Sequence, residues 1–297
     1  MKLLTFEYNG ETELGVLSAD GEKVIPLSKI EINYSDMNDL IDNITEKEME
    51  IVAAAANADT DSVPAFFMRD VKMRAPIIRP KQDVICLGIN YADHAVESSR
   101  YKGDAFGGDR PVPIYFSKRV NEAVGDGEPV LAHTNIVERL DYEVEIAVVI
   151  GKPTYKVSRE EALDYVFGYT ILNDISARDI QTSHKQWYFG KSLDSFTPIG
   201  PWIVTADEMP EPGGHTIRSY VNGELRQNGN TNQLIFDVPY VISELSQGMT
   251  LLPGTIIATG TPAGVGMGFQ PPKFMKPGDV VKCEIEGIGT LTNPIEE

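Results

Sequence analysis

Along most of the chain, apolar residues come in short β-branched runs or alternate with polar ones, with turn signals between them, which is the pattern of strands. Residues 1–75 open with such alternation, broken at Asn9-Gly10 and Asp20-Gly21, dipeptides that favour tight turns between antiparallel strands. One helical stretch, MNDLIDNITEKEMEIVAAAANA (37–58), follows, and the proline-punctuated MRAPIIRPKQD (73–83) reads as a linker. From Val84 onward strands dominate again. They include LDYEVEIAVVIG (140–151), YTILND (169–174) behind a short helix signalled by a Ser158/Glu161 capping box, a hairpin at Asn222-Gly223, and VVKCEIEG (280–287). A further helix is predicted over PYVISELSQG (239–248), begun near Asp237 and Pro239 and stopped at Gly248. Periodicity therefore predicts an α+β, strand-rich chain in two parts, a small N-terminal domain over 1–75 and a larger one over 76–297.

The run from Leu140 to Gly151 carries the first chemical signal. Side chains two apart on a strand project to one face, so Glu143 and Glu145 are expected on the same side, about 6–7 Å apart. Two like charges at that spacing repel, and a divalent cation relieves the repulsion, because a hard ion such as Mg²⁺ or Mn²⁺ prefers oxygen ligands and keeps positions open for substrate. A solvated strand face explains the strand taken alone equally well. Asp174, at the end of YTILND, adds a third carboxylate. It reads either as a turn residue or as a site residue with Arg178, Gln181 and Lys191 nearby, groups suited to an anionic ligand beside a metal. Asp141, near the start of the first strand, is expected to matter less than Glu143.

Several other motifs fail. Gly190-Lys191-Ser192 ends like a phosphate loop, but Lys185 stands where the required glycine belongs, and Phe269 breaks the glycine series at 264, 266 and 268. Neither Ser176 nor Ser192 lies in a G-x-S-x-G turn, and His94, His133, His184 and His215 show no zinc spacing with Cys86 or Cys283. A formal net charge of −18 disfavours nucleic acid and anionic membrane as partners. Two cysteines are too few for a disulfide framework, and no run approaches the length of a membrane span, so the expected location is cytoplasmic.

The segments LGINYADHAVES (87–98), LDYEVEIAVVIGK (140–152), FGYTILNDISARDIQ (167–181), GKSLDSFTPIGPW (190–202), VNGELRQNGNT (221–231) and TGTPAGVGMG (259–268) resemble the fumarylacetoacetate hydrolase family, in family order over about 87–297. The resemblance implies a mixed β-roll catalytic domain behind a small N-terminal α/β domain, usually as a homodimer. It implies Glu143, Glu145 and Asp174 as ligands of Mg²⁺ or Mn²⁺. It further implies a His94–Glu97 dyad on a short lid helix, Lys191 in the pocket, and Thr261 at the far wall contacting a substrate carboxylate or oxo group. Arg178 and Gln181 are carried over as pocket residues, Arg178 alternatively pairing with Asp174 or Asp179. His94 and Glu97, three apart, meet on one side of a helical turn, where Glu97 can set the imidazole tautomer. The polar, glycine-rich stretch that follows, SSRYKGDAFGGDRP (98–111), is expected to be mobile.

The expected activity is metal-dependent hydrolysis of a carbon–carbon bond in a small anionic 2,4-dioxo acid of the acylpyruvate or fumarylpyruvate type, with His94 activating water. The alternatives on the same site are oxaloacetate decarboxylation or tautomerisation, and isomerisation of a hydroxymuconate-type diacid.

Overall fold

The structure, a computed structural model, describes residues 1–58, 63–102 and 112–297. Its backbone is an 11-stranded sheet running, edge to edge, through Phe66–Phe67, Lys23–Pro26, Glu11–Leu17, Lys2–Tyr8, Ile199–Thr205, Val166–Asn173, Val144–Ile150, Ile256–Ala258, Val84–Gly88 and Ile114–Lys118, with Lys72–Arg74 branching off Lys2–Tyr8. Lys2–Tyr8 pairs antiparallel with Ile199–Thr205, so the N-terminal strands continue the sheet that carries the centre of the chain. Most pairs are antiparallel, and Ile256–Ala258 beside Val84–Gly88 is parallel, which makes the sheet mixed. A five-stranded sheet, Glu224–Asn230, Thr216–Val221, Val280–Ile285, Gly289–Glu296 and Val130–Leu131, packs beside it. This is the α+β, strand-rich fold expected from the periodicity.

The turns form where the dipeptides predict them, with Asn9-Gly10 and Asn222-Gly223 both in the left-handed region that tight hairpin turns require. Val238–Ser246 is the predicted late helix, Asp237 accepting the Tyr240 N–H as its cap. Three expectations change. The helix predicted over 37–58 is two helices, Met37–Asn43 and Glu46–Ala56, because Thr45 and Glu48 form a capping box that restarts the chain. The Ser158/Glu161 box is present, but the turn that follows, Ala162–Tyr165, is a 3₁₀ turn. The linker 73–83 begins inside the strand Lys72–Arg74, and its Ala75 and Ile77 are buried core residues.

Val144–Ile150 is buried on both faces, which explains its unbroken apolar run. Ala147 and Val149 join the core built with Leu3, Leu14, Leu40 and Leu172. Val144, Ile146 and Val148 join a second core with Val241, Ile242 and Cys283. Glu145 follows Ala147 and Val149 on their face, at the end of the strand where the apolar core gives way to the site. No described helix is long and apolar enough to cross a membrane.

Candidate metal centre and active site

Glu143, Glu145 and Asp174 converge from two neighbouring strands, and each offers a carboxylate oxygen within 4.8 Å of the others. Their meeting follows from register: Val144 pairs with Asn173, placing Asp174 opposite Glu143, whose carbonyl accepts the Asp174 N–H at 2.8 Å. The regular ladder is interrupted at Tyr142 and Glu143, where the Glu143 N–H is taken by the Asn173 side chain at 3.0 Å. All three acids are buried, so the solvated strand face is excluded.

Three buried cations and one further carboxylate surround them. Lys191 donates to Glu143 Oε2 at 2.7 Å and Asp174 Oδ2 at 2.6 Å. Lys118, fully buried at the end of its strand, donates to Asp174 Oδ1 at 2.5 Å and to the Ile175 carbonyl at 3.1 Å. Arg178 donates from Nε to Asp141 at 2.8 Å and from Nη1 to the Gln181 carboxamide oxygen at 3.1 Å, while its Nη2 lies 2.6 Å from Glu143 Oε1. Burial works against ionisation of Glu143, but Lys191 and Arg178 outweigh it and hold the acid well below the usual range. Glu145 goes the other way: burial, then Asp174 and Glu143, push it well above the ordinary value, against the smaller effects of Lys191 and the Gly260 N–H at 2.7 Å. Burial lowers Lys118 despite Asp174, whereas Asp174 and Glu143 together raise Lys191 against burial.

This donor set fits a hard divalent ion: three buried carboxylates with oxygen donors in reach of one point, one of them, Glu145, destabilised as an anion by the other two. With Asp141, the cluster holds four carboxylates against three cations.

The cavity beside the cluster has a volume of about 30 Å³, and its wall includes His94, Ser98, Phe116, Trp187, Gln181 and Thr261 together with Glu143 and Glu145. A larger groove of about 610 Å³ near the N-terminal strands contains none of the predicted site residues and no comparable convergence of carboxylates. His94 and Glu97 lie on the helix Ala92–Lys102 with Nδ1 2.9 Å from Glu97 Oε2, and the second Glu97 oxygen accepts the Gly264 N–H at 3.0 Å. The stretch expected to be mobile falls partly outside the described residues, at 103–111.

The other predicted positions need refinement. Arg178 pairs with Asp141 and Glu143 rather than Asp174 or Asp179, which commits its guanidinium to protein partners. Gln181 faces the cavity with its oxygen held by Arg178, which leaves its N–H₂ group as the donor. Thr261 lines the cavity, but its hydroxyl proton goes to the Val144 carbonyl at 2.8 Å and its oxygen accepts Gln227 Nε2 at 2.7 Å. Lys191 stands behind the carboxylates and not on the cavity wall, drawn there by two counter-charges.

Two residues were not foreseen. Lys118 has no sequence signal, since a lysine ending a strand is normally solvated. Asp141, expected to matter less than Glu143, is fully buried and accepts four hydrogen bonds, from Gly266 N, Tyr142 N, Met267 N and Arg178 Nε. The glycine of the failed phosphate-loop motif has a packing role, because a Cβ on Gly190 would lie 2.6 Å from the Gln181 nitrogen.

Residues 83–296 match the family model described as fumarylacetoacetate (FAA) hydrolase C-terminal. The chain is 41% identical to oxaloacetate tautomerase YisK of Bacillus subtilis, covering 99% of this chain and 100% of that protein. Among solved structures it is similar to a fumarylacetoacetate hydrolase from psychrophilic Exiguobacterium antarcticum, with a TM-score of 0.84 and 38% identity over 100% of this chain and 99% of that one. It is also similar to maleylpyruvate hydrolase from Sphingobium sp. SYK-6, solved with manganese(II) and pyruvate, with a TM-score of 0.79 and 29% identity over 100% and 99% of the two chains. With the acidic cluster and fold already in place, these matches establish that the chain belongs to the fumarylacetoacetate hydrolase family.

Proposed function

We propose that this chain interconverts the keto and enol forms of a small 2-oxo diacid of the oxaloacetate class, using a divalent ion held by Glu143, Glu145 and Asp174. The observation that carries this reading is the meeting of one acid–base group, His94 held by Glu97, with Glu143 and Glu145 at a single small cavity. The tautomerase named among the relatives, similar over its full length, supports the same reading.

Tautomerisation moves one proton between the C2 oxygen and C3 and adds nothing to the substrate. Because His94 Nδ1 is tied to Glu97, Nε2 is the nitrogen it offers to the cavity, and the proton is held and returned there. Glu97, itself fixed by the Gly264 N–H, keeps the ring in one orientation. Gln181 directs its amide N–H groups at the substrate. When bound, the divalent ion supplies Lewis-acid stabilisation for negative charge on the 2-oxo end. Lys118, Lys191 and Arg178 hold the carboxylates in place. A divalent ion held by these groups would add two positive charges to the cluster, which would favour an anionic substrate against the field of a chain of net charge −18.

A second reading, hydrolysis of the carbon–carbon bond of a 2,4-dioxo acid, is favoured by the similarity to a hydrolase solved with manganese and pyruvate, and would use His94 to activate water. Incubation of the Mg²⁺- or Mn²⁺-loaded protein with oxaloacetate, acetylpyruvate and fumarylpyruvate, with products identified by NMR, separates the two. The expected result is accelerated keto–enol exchange of oxaloacetate, reduced by about 10²–10⁴ in kcat in His94→Ala with metal affinity unchanged. Release of pyruvate and a carboxylic acid from an acylpyruvate, with oxaloacetate exchanging at its uncatalysed rate, would overturn the tautomerase reading in favour of hydrolysis.

A further inference from the structure

The loop around Gly264–Met267 touches both halves of the site. At one end the Gly264 N–H donates to Glu97 Oε1 at 3.0 Å, and the Gly264 carbonyl accepts the Tyr142 hydroxyl at 3.0 Å. At the other end Gly266 N and Met267 N donate to the two oxygens of Asp141, at 2.6 and 3.0 Å. Asp141 then receives Arg178 Nε at 2.8 Å, and the same guanidinium reaches Glu143 at 2.6 Å. At two positions of this path there is no room for a side chain. A Cβ on Gly264 would sit 2.1 Å from the Arg226 carbonyl oxygen, and one on Gly266 would sit 2.6 Å from Asp141 Oδ1 and 2.4 Å from the Lys273 carbonyl oxygen. Two glycines of the series that fails as a dinucleotide motif are thus explained by close packing, Gly264 against Arg226 and Gly266 against Asp141 and Lys273.

We infer that Asp141 is a positioning residue which, through the 264–267 loop, ties the orientation of the His94–Glu97 dyad to that of the carboxylate Glu143. This rests on the reading of His94 and Glu97 as the proton-transfer pair. Glu97 and Glu143 have no direct bond to each other. The path between them runs through Gly264, the loop backbone, Asp141 and Arg178, so a change at Asp141 is felt at both ends. Asp141 itself contacts no cavity space and acts only through its partners.

Asp141→Asn tests the link. The amide retains an acceptor for Gly266 and Tyr142 but turns its own N–H₂ towards the Met267 N–H and Arg178 Nε–H, so donors face donors. Hydrogen exchange is measured in metal-free and Mn²⁺-loaded protein, which makes this arm independent of turnover. Faster exchange at both 264–268 and 92–98 is expected, and faster exchange confined to 264–268 overturns the inference. In oxaloacetate exchange at saturating Mn²⁺, Asp141→Asn is expected to lower kcat roughly tenfold or more in the parent chain, but by less than about threefold when Glu97→Gln is already present. Losses that simply multiply overturn the coupling. If the parent chain leaves oxaloacetate untouched, the proposed function fails while the exchange arm still decides the link. Should Asp141→Asn not fold, Glu97→Gln alone serves. It lies on the helix Ala92–Lys102, and unchanged exchange at 264–268 in that variant overturns the inference.

Discussion

Replacing Lys118 by methionine removes a charge from the interior while nearly preserving side-chain volume, so the cavity cost stays small. The lost interactions are the 2.5 Å bond to Asp174 Oδ1 and the 3.1 Å bond to the Ile175 carbonyl, both fully buried. Removing one partner of a buried ion pair costs about 3–5 kcal/mol, because the remaining charge is left uncompensated. Asp174 still keeps Lys191 on its other oxygen at 2.6 Å, which places the expected loss near the lower end, about 3 kcal/mol in metal-free protein. A divalent ion restores a counter-charge to Asp174, and at a hundredfold excess over its Kd it adds about 2.7 kcal/mol to a chain that binds only when folded. Urea denaturation with and without Mg²⁺ measures both quantities, with the slope against denaturant serving as a check that the unfolded state is unchanged. Lys72→Met is the control: Lys72 is largely exposed and pairs with Glu128 at 3.2 Å, so its loss is expected to cost under about 1 kcal/mol. If Lys118→Met destabilises the metal-free protein no more than Lys72→Met, Lys118 does not hold Asp174 and the account of the buried cluster is wrong.

Three further outcomes are expected. Glu143→Gln removes a charged oxygen ligand and should abolish Mn²⁺ binding by isothermal titration calorimetry, with native-like binding counting against the metal centre. Because Glu145 is raised above its ordinary value of 4.5 in the folded chain, its contribution is fully present below that value and is lost as pH climbs towards the folded pKa. Metal-free parent protein should therefore lose stability with rising pH relative to Glu145→Gln, and a divalent ion should remove the difference; parallel pH curves for the two metal-free proteins would contradict the burial argument. A Cβ on Gly88 would lie 2.4 Å from Trp187 Cζ3, so Gly88→Ala should displace the indole from the cavity wall and cost about 1–3 kcal/mol, while an unchanged melting curve and KM would show that the ring yields freely.

Much of the fold was legible in local pattern. Period-two alternation and β-branched runs marked the strands, and Asn-Gly turns fixed two hairpins, because these signals depend on residues close in sequence. Local chemistry also marked where the pattern misled: the Thr45–Glu48 capping box that splits the predicted helix is written in the sequence, but it competes with a helical periodicity that runs across it.

For the site, the sequence alone determined the candidates, with Glu143 and Glu145 two apart and His94 and Glu97 three apart, since strand and helix periods convert such spacings into shared faces. Whether those groups meet was decided by the tertiary structure. Asp174 joins the pair through the Val144–Asn173 register, a relation between residues about thirty positions apart. Lys118 lies 56 positions from the carboxylate it holds. Asp141 receives two loop N–H groups from residues 125 and 126 positions away, and Thr261 gives its proton to a backbone carbonyl 117 positions away. A buried charge is defined by what surrounds it, and for these residues the surroundings come from distant parts of the chain, brought together only when the sheets close over the core.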